Sequence, residues 1–316
     1  MPADDAAHVD TAVVGVDLGL SVTDAVMLPV AEPAATLTHV RFDTAGRTPA
    51  DALHAALAAL GSDASSVPAI GVTGGRSASL VGAGDELLFE PAARGAARPA
   101  LMVVAEPEAI GRGGLALAGL RSALVVSCGT GTAMIAADAD AGDDARRYAH
   151  ASGTPVGGGT LRALGGLLLG SRDAHEICDL AAAGDASQVD TTLAEVLGSG
   201  LGTLPPDATA VSLGRLADEA REVRREDLAA ALVTMVAQTI GLVAVNAVRA
   251  NELAAVVMVG RLPTLAPVRS MLRAVFAVYG MSGLLHLPDG APHATALGAA
   301  LAARERPRNH GGGHPA

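Results

Sequence analysis

The sequence predicts an α/β protein made of two similar domains. Three observations lead to this prediction. Short apolar stretches alternate with stretches of helical periodicity along the whole chain. A strand, a turn of small residues and a second strand occur near the start of the chain and again from residue 122. Half of the 316 residues are hydrophobic and 17% are charged, which is typical of a globular protein.

The first domain is predicted over residues 1–121. It opens with a meander of strands and continues as alternating helices and strands. The strands are expected at 12–17, 24–30, 36–42, 68–72 and 101–105, and the helices at 49–60 and 108–120.

The second domain is predicted over residues 122–304, and residues 305–316 are expected to be a disordered tail. Strands at 122–127 and 134–139 repeat the opening pattern, and a glycine loop at 152–160 follows them. Helices are expected at 161–170, 173–183, 189–197, 211–220, 226–249, 267–280 and 293–303, with a strand at 256–263. In such folds ligands bind at the carboxyl ends of the strands, so we expect the two domains to face a cleft.

Charge and residue usage exclude several kinds of partner. The formal net charge of −11 would repel a nucleic-acid backbone and an anionic membrane surface, and Phe 3, Tyr 2 and Trp 0 leave few rings for stacking bases. No apolar stretch approaches the roughly 20 uninterrupted residues of a membrane span. The chain contains no lysine, which excludes a Walker-type phosphate loop. We expect small-molecule or protein partners, with no nucleic acid and no membrane.

Cysteine usage bears on the compartment. The two cysteines, Cys128 and Cys178, are too few for a disulfide framework, which favours a reducing environment. The acidic N-terminus lacks the basic flank and apolar stretch of a signal peptide. These features predict a cytoplasmic protein.

Two strand–turn–strand segments are candidate phosphate-binding elements. Asp17 ends the first strand beside Gly19 and Ser21, where its carboxylate could hold a hydrated divalent cation. Taken alone, this pattern is better explained as an acidic turn cap. The second segment repeats it with glycines that let backbone N–H groups approach an anion and with hydroxyl donors, at Gly129, Thr130, Gly131 and Thr132. The repetition favours a phosphate clamp formed by two hairpins.

Further glycines complete the candidate nucleotide site. Gly157, Gly158, Gly159 and Thr160 precede a helix, whose N-terminus would offer unpaired N–H groups to a phosphate or ribose. The alternative explanation is a tight turn with close helix packing. Gly260 follows an apolar strand, where the missing side chain would admit adenine against the backbone, although a plain turn is an equally good explanation.

The order of these segments resembles the actin, sugar kinase and Hsp70 superfamily, and in detail the type II (eukaryotic-like) pantothenate kinases. The stretches that carry the resemblance include GVDLGLSVTDAVML, GVTGGRSASL, VAEPEAIGRGG, VSCGTGTAM, SGTPVGGGTLRALGGLLLG and VVMVGRLP. The resemblance implies two actin-like (ribonuclease H-like) domains flanking a nucleotide cleft, ATP and Mg²⁺ as cofactors with Asp17 at the metal, and a homodimer, which the long apolar helix at 226–249 also suggests.

The resemblance also implies that Glu106 accepts the proton of the substrate hydroxyl, with Glu108 as the nearby alternative. Alcohol attack on a γ-phosphoryl group requires such an acceptor. Pro107 between the two acids predicts that they lie in a strand-to-helix connection. A purely structural role, as negative charge at a helix N-terminus, is the alternative.

The chain departs from the family pattern in two places. Leu20 stands where the family has glycine and Asp24 where it has lysine, which predicts weaker nucleotide binding. His150 stands where the family has an arginine that pairs with the pantothenate carboxylate, and Arg147 is a possible substitute.

Three functions follow from these features. The first is phosphorylation of pantothenate to 4′-phosphopantothenate in coenzyme A biosynthesis. The second is phosphorylation of another small alcohol by the same fold. The third, favoured by Leu20 and Asp24, is a noncatalytic regulator that binds a nucleotide or acyl-CoA; in the kinases, acyl-CoA would instead act as an inhibitor.

Overall fold

The computed structural model describes residues 12–29, 37–62, 67–80, 99–142, 147–217 and 222–305. Contacts divide these residues into two units. Unit 1 consists of the described residues up to Ala116 and from His293 onward, and unit 2 runs from Leu117 to Pro292. The predicted domains differ from these units, because the helix predicted at 293–303 was assigned to the second domain and belongs to unit 1. The predicted disordered tail lies outside the described residues, except for Glu305.

The described residues contain twelve strands and eight α-helices. The strands are β1 (Ala12–Leu18), β2 (Val22–Pro29), β3 (Thr38–Asp43), β4 (Ala69–Thr73), β5 (Ala100–Val103), β6 (Ser122–Cys128), β7 (Thr132–Asp138), β8 (Tyr148–Thr154), β9 (Thr191–Thr192), β10 (Thr209–Val211), β11 (Val256–Gly260) and β12 (Leu285–His286). The helices are α1 (Pro49–Ala59), α2 (Glu106–Ala118), α3 (Gly158–Leu168), α4 (Ala174–Ala182), α5 (Leu193–Leu197), α6 (Arg225–Ala250), α7 (Ala266–Val278) and α8 (Ala294–Glu305).

Unit 1 is built on a sheet with the strand order β3-β2-β1-β4-β5. Strands β1 to β3 form the predicted antiparallel meander, and β4 and β5 continue the sheet in parallel with β1. Helix α1 begins with a capping box between Thr48 and Asp51, and its buried Leu53 and Leu57 belong to a core with residues of β1 and β4.

Helix α8 covers the other face of this sheet at very short range. A side-chain carbon on Gly15 or Gly71 would lie 2.0 or 2.1 Å from a backbone oxygen of α8. Glycine is therefore required at both positions, because any larger residue would push the helix off the sheet.

Unit 2 repeats this architecture. Its sheet has the order β8-β7-β6-β11-β12, in which β6 to β8 form an antiparallel meander and β11 and β12 run parallel to β6. The strand order corresponds one to one with that of unit 1. The prediction of an α/β fold with two similar domains is therefore confirmed.

Helix α6 is the central core helix of unit 2. Its length and apolar composition alone would allow it to cross a membrane, although the sequence was expected to contain no such stretch. In its most apolar stretch of 18 residues, 67% is buried inside the protein, against residues of β6 and α7. This degree of burial is typical of a helix in a protein core.

Two helix predictions and one loop prediction are wrong. The predicted helix at 189–197 begins only at Leu193, after the short strand β9 and a capping box between Thr192 and Glu195. In place of a helix at 211–220 the described residues contain the end of β10 and a 3₁₀ turn at 214–217. The predicted glycine loop at 152–160 begins inside the edge strand β8.

Candidate functional site

The turn between β1 and β2 presents backbone donors in unit 1. None of the N–H groups of Gly19, Leu20 and Ser21 donates a hydrogen bond to a described residue. A side-chain carbon on Gly19 would lie 2.6 Å from the carbonyl oxygen of Val22, so the tight turn requires glycine there. The Leu20 side chain is 77% exposed and projects away from the protein. The side chain therefore does not fill the turn, although the replacement of the family glycine by leucine had suggested that it would.

A row of charged and polar residues crosses the sheet next to this turn. The strand register places Asp24 opposite Asp17, Arg41 opposite Asp24, and Thr73 opposite Asp17 on the other side. Directly opposite residues share one face of a sheet. Four neighbouring strands thus bring these four side chains to the α8 face, where a side-chain carbon on Gly74 would lie 2.5 Å from Asp17 Oδ1.

Burial and like charge dominate the electrostatics of the row. The pKa of Asp17 is raised to about 7, first by burial and then by the negative charges of Asp24 and Glu106, while Arg41 opposes the shift. Asp24 is only 7% exposed, and its Oδ1 lies 3.3 Å from Arg41 Nη1 and 3.3 Å from His293 Nδ1. The hydroxyl of buried Thr73 has no hydrogen-bond partner among the described residues.

The two candidate bases differ in their surroundings. Helix α2 begins at Glu106, so the predicted strand-to-helix connection is wrong for both acids; Pro107 is accommodated because the first helical turn needs no N–H donor there. Glu106 is exposed and acts electrostatically on Asp17. Glu108 instead accepts a 2.9 Å hydrogen bond from Arg112 within an ion pair. Glu106 is therefore the more accessible proton acceptor.

In unit 2 the turn at 129–131 is fixed by the start of α3. The N–H groups of Gly158 and Gly159 donate to the carbonyl oxygens of Gly129 and Thr130, at 2.9 Å each. Side-chain carbons on Gly157 and Gly159 would lie 2.6 and 2.9 Å from the Thr130 carbonyl oxygen. The glycines of GGGT therefore serve the close packing of helix against turn.

This arrangement determines which donors can bind an anion. The prediction that the α3 N-terminus offers unpaired N–H groups is wrong for Gly158 and Gly159, and the N–H of Gly157 donates to Thr160 Oγ1 at 3.3 Å. In a trans peptide the N–H points opposite to the preceding C=O. Because the carbonyls of Gly129 and Thr130 point at α3, the N–H groups of Thr130 and Gly131 point away from it. Neither donates to a described residue.

Other predicted nucleotide-binding residues also have structural partners. Thr132 Oγ1 donates to the carbonyl of Val156 at 2.9 Å, which ties β7 to the glycine segment. Gly260 has φ of +89°, and the space of its side chain is occupied by the Cys128 backbone at 2.5 Å. Its glycine is therefore explained by the turn and by strand packing rather than by an opening for adenine.

The two candidate substrate-carboxylate residues lie on or beside β8. Arg147 Nη2 donates to the carbonyl of Ala139 at 2.8 Å, beside the β7 end opposite to the turn at 129–131. Tyr148 and Thr154 are six steps apart along the strand, at about 3.3 Å per step, so Arg147 is roughly 20 Å from that turn. His150 is exposed in the middle of β8, opposite Ile135. Arg147 is therefore a poor substitute for the missing arginine.

Sequence reasoning did not identify Arg41 and Thr73 as members of the unit 1 row, nor His293 as a contact of Asp24. They come from two strands and from the segment before α8, and no sequence spacing relates them. The family position of Asp24 was the one available signal. In the described ranges no three His, Cys, Asp or Glu side chains converge in the manner of a metal cluster.

Comparison with known proteins places these segments in a family context. Residues 121–273 match the family model Fumble. Pantothenate kinase 1 of Arabidopsis thaliana is 33% identical over 134 residues, which is 40% of this chain and 33% of that protein. The 4′-phosphopantetheine phosphatase of Mus musculus is 30% identical over 120 residues, which is 37% of this chain and 14% of that protein. The matched segments thus span a third or less of these curated relatives.

Solved structures of similar fold cover most of the chain. Component A of the (R)-2-hydroxyglutaryl-CoA dehydratase of Acidaminococcus fermentans has a TM-score of 0.63 at 16% identity, over 93% of this chain and 98% of that one. A ROK family glucokinase of Streptomyces griseus, in complex with glucose and AMPPNP, has a TM-score of 0.53 at 17% identity, over 93% and 100%. Residues 121–273 are therefore similar to the Fumble family and to curated pantothenate kinases, in keeping with the resemblance of the motifs, and the fold over 93% of the chain is that of the solved ROK glucokinase and dehydratase component A.

Proposed function

We propose that this chain is an ATP-dependent kinase that phosphorylates pantothenate to 4′-phosphopantothenate in coenzyme A biosynthesis. The observation that carries the proposal is the turn at 129–131, where α3 turns the N–H groups of Thr130 and Gly131 outward. Two convergent backbone donors make an anion-binding concavity. This turn lies in the Fumble segment, and the names of the plant relatives supply the substrate.

In the proposed reaction the N–H groups of Thr130 and Gly131 in unit 2 hold phosphate oxygens, and the exposed Thr130 hydroxyl is a further donor. The Glu106 carboxylate, which is exposed at the first position of α2, takes the proton of the attacking alcohol.

Asp17 fits the magnesium of a Mg²⁺–ATP complex. Its carboxylate lies at the end of a strand and its pKa of about 7 reflects burial and the neighbouring negative charges, which a divalent cation would offset. A single carboxylate suits Mg²⁺, which keeps several of its waters. When bound, the ion would neutralise charge on the transferring phosphoryl group.

A different acceptor or a noncatalytic role is the second candidate. Among the described residues, Arg147 is not placed to pair with a substrate carboxylate in the middle of β8, because its Nη2 donates to the carbonyl of Ala139. The mouse relative is named a phosphatase, so a similar segment occurs in a protein with another printed activity. An uncharged alcohol substrate, or a nucleotide- or acyl-CoA-binding regulator, is therefore the alternative.

We also propose a cytoplasmic homodimer. Cys128 and Cys178 are free and buried, in keeping with a reducing compartment. Helix α6 is too buried to form the dimer surface, but Val196, Leu197 and Leu201 are at least 50% exposed in unit 2. Light scattering of the native protein tests the oligomeric state.

Release of ADP from Mg²⁺–ATP tests the proposed activity. The purified protein is assayed with pantothenate, pantetheine, pantoate and simple polyols, and Glu106→Gln serves as the inactive control. Phosphorylation of pantothenate alone supports the proposal. Turnover of another alcohol, or nucleotide binding without turnover of any of them, supports the corresponding alternative.

A further inference from the structure

We propose that Arg41 is the cation of unit 1 that contacts the terminal phosphates of the nucleotide, and that Asp24 holds it there. The inference rests on the proposed function and names a residue that the sequence did not indicate. It starts from the row of Arg41, Asp24, Asp17 and Thr73 on the α8 face of the sheet.

Three carboxylates contribute negative charge at the end of β1. Asp17 lies opposite Asp24, and the charge of Glu106 also acts on Asp17. A polyphosphate that reached the turn at 19–21 would be repelled by this negative charge. The backbone donors of the turn are dipoles without net charge, so, in addition to the Mg²⁺ proposed at Asp17, binding there requires a positive group that belongs to the protein.

Arg41 satisfies that requirement. Among the described groups that act on Asp17, it supplies the positive charge. Its side chain is 26% exposed, so it is accessible from solvent, whereas the Asp24 side chain is 10% exposed. A guanidinium has five donors in a planar fork, which suits it to contact a carboxylate and a phosphate together.

Asp24 provides the means of positioning. A buried carboxylate is costly unless it is paired, and the Asp24 side chain has Arg41 Nη1 and His293 Nδ1 each at 3.3 Å from Oδ1. Arg41 on β3 is therefore paired with Asp24 on the neighbouring strand β2. In this chain the carboxylate at position 24 thus holds a cation rather than excluding one.

Calorimetric titration with Mg²⁺–ATP and with adenosine tests this role in full-length protein, alongside the thermal midpoint. Arg41→Gln is expected to weaken ATP binding about tenfold or more, because a charged hydrogen bond is lost, and to leave adenosine binding unchanged. Arg41→Lys, which keeps the charge but not the planar fork, is expected to lose less ATP affinity than Arg41→Gln. Arg215→Gln is the matched control, since Arg215 is 27% exposed and paired with Glu195 at 2.7 Å in unit 2.

The outcomes separate this inference from the proposed function. If native protein binds Mg²⁺–ATP and Arg41→Gln binds it equally well, the inference is overturned and the kinase proposal stands. If Arg41→Gln loses ATP and adenosine binding alike, or if Arg41→Lys loses as much as Arg41→Gln, the residue is structural and the inference is again overturned. If native protein binds no nucleotide, both proposals fail.

Discussion

The two units have the same strand order but carry different chemistry at corresponding positions. In unit 1 the row at the end of the first strand is Arg41, Asp24, Asp17 and Thr73. In unit 2 the corresponding row, one residue before the end of β6, is Gly153, Ala133, Ser127 and Val259. Unit 1 combines the backbone donors of its turn with charged side chains, whereas in unit 2 the row is uncharged and the backbone donors are fixed by glycine packing. One scaffold can thus be used for acid–base and ion chemistry in one copy and for anion binding in the other.

The largest expected effect tests whether the acid–base chemistry belongs to unit 1. Glu106→Gln should lower turnover by about 10²- to 10⁴-fold, because the proton acceptor is lost, while ATP affinity changes little. Glu108→Gln is the matched control, since Glu108 is already paired with Arg112. Steady-state kinetics and calorimetry give both quantities. Near-normal turnover of Glu106→Gln together with loss in Glu108→Gln would move the base to Glu108.

Two glycine variants test whether backbone packing fixes the anion site of unit 2. A side-chain carbon at Gly157 would lie 2.6 Å from the Thr130 carbonyl oxygen, so Gly157→Ala should lower the unfolding free energy by about 1–3 kcal/mol and also weaken ATP binding. At Gly131 the nearest atom would be 3.5 Å away. Gly131→Val should therefore fold normally but weaken ATP binding about tenfold or more, because its side chain shields the N–H groups.

Thermal melts and calorimetry on both glycine variants decide the matter. Undiminished ATP affinity in folded Gly131→Val would remove this turn from the nucleotide site. If Gly157→Ala were as stable as the native protein, the glycine segment could shift at little cost, and close packing against the turn at 129–131 would not require glycine there.

The pH dependence of stability tests the charged row of unit 1. The pKa of Asp17 rises from 3.8 to about 7 in the folded protein. The folded state therefore binds more protons than the unfolded state between these values, and stability is lost as pH rises toward and through 7. Asp17→Asn should remove this loss, on the order of 4 kcal/mol at pH 8, and leave stability at pH 4 nearly unchanged. Denaturant melts without divalent ions measure it; an equal pH slope in both proteins would contradict the raised pKa.

The smallest expected effect concerns substrate choice in unit 2. His150→Arg should lower the Michaelis constant for pantothenate about tenfold by forming a charge-assisted pair with its carboxylate. Pantothenol, the same alcohol without the carboxylate, should gain nothing. Equal gains for both compounds, or none for either, would place the acceptor carboxylate away from β8. A native preference for pantothenol would favour an uncharged acceptor.

The parts of the fold that follow from local pattern were predictable from the sequence. The meander of β1 to β3, its repetition from residue 122 and the long helix α6 rest on periodicity, which the chain shows clearly. The helix predicted at 211–220 failed because buried Asp190 accepts hydrogen bonds from Thr209 Oγ1 and from the N–H of Leu213, whose φ is +58°. A distant carboxylate thus overrode the helical spacing of leucines.

The candidate site was predictable only where its residues are adjacent in sequence. The turns at 19–21 and 129–131 were found because glycine and small residues mark them. The charged residues near the first turn are not adjacent in sequence. Arg41 contacts Asp24 from β3, and His293 contacts Asp24 from the segment before α8. Similarly, the N–H groups of Gly158 and Gly159 donate to the carbonyls of Gly129 and Thr130 in a tertiary contact, which sequence spacing does not predict.

The return of α8 to the first sheet has a consequence for biosynthesis. Unit 2 is one continuous segment, whereas unit 1 needs a helix that is synthesised after the whole of unit 2. Proteins made from the N-terminus onward fold domain by domain, and contacts between distant parts of the chain form slowly. During synthesis the glycine-lined face of β1 and β4 therefore stays uncovered while unit 2 can already fold, and a ribosome that stalls before residue 294 exposes that face to chaperones and proteases.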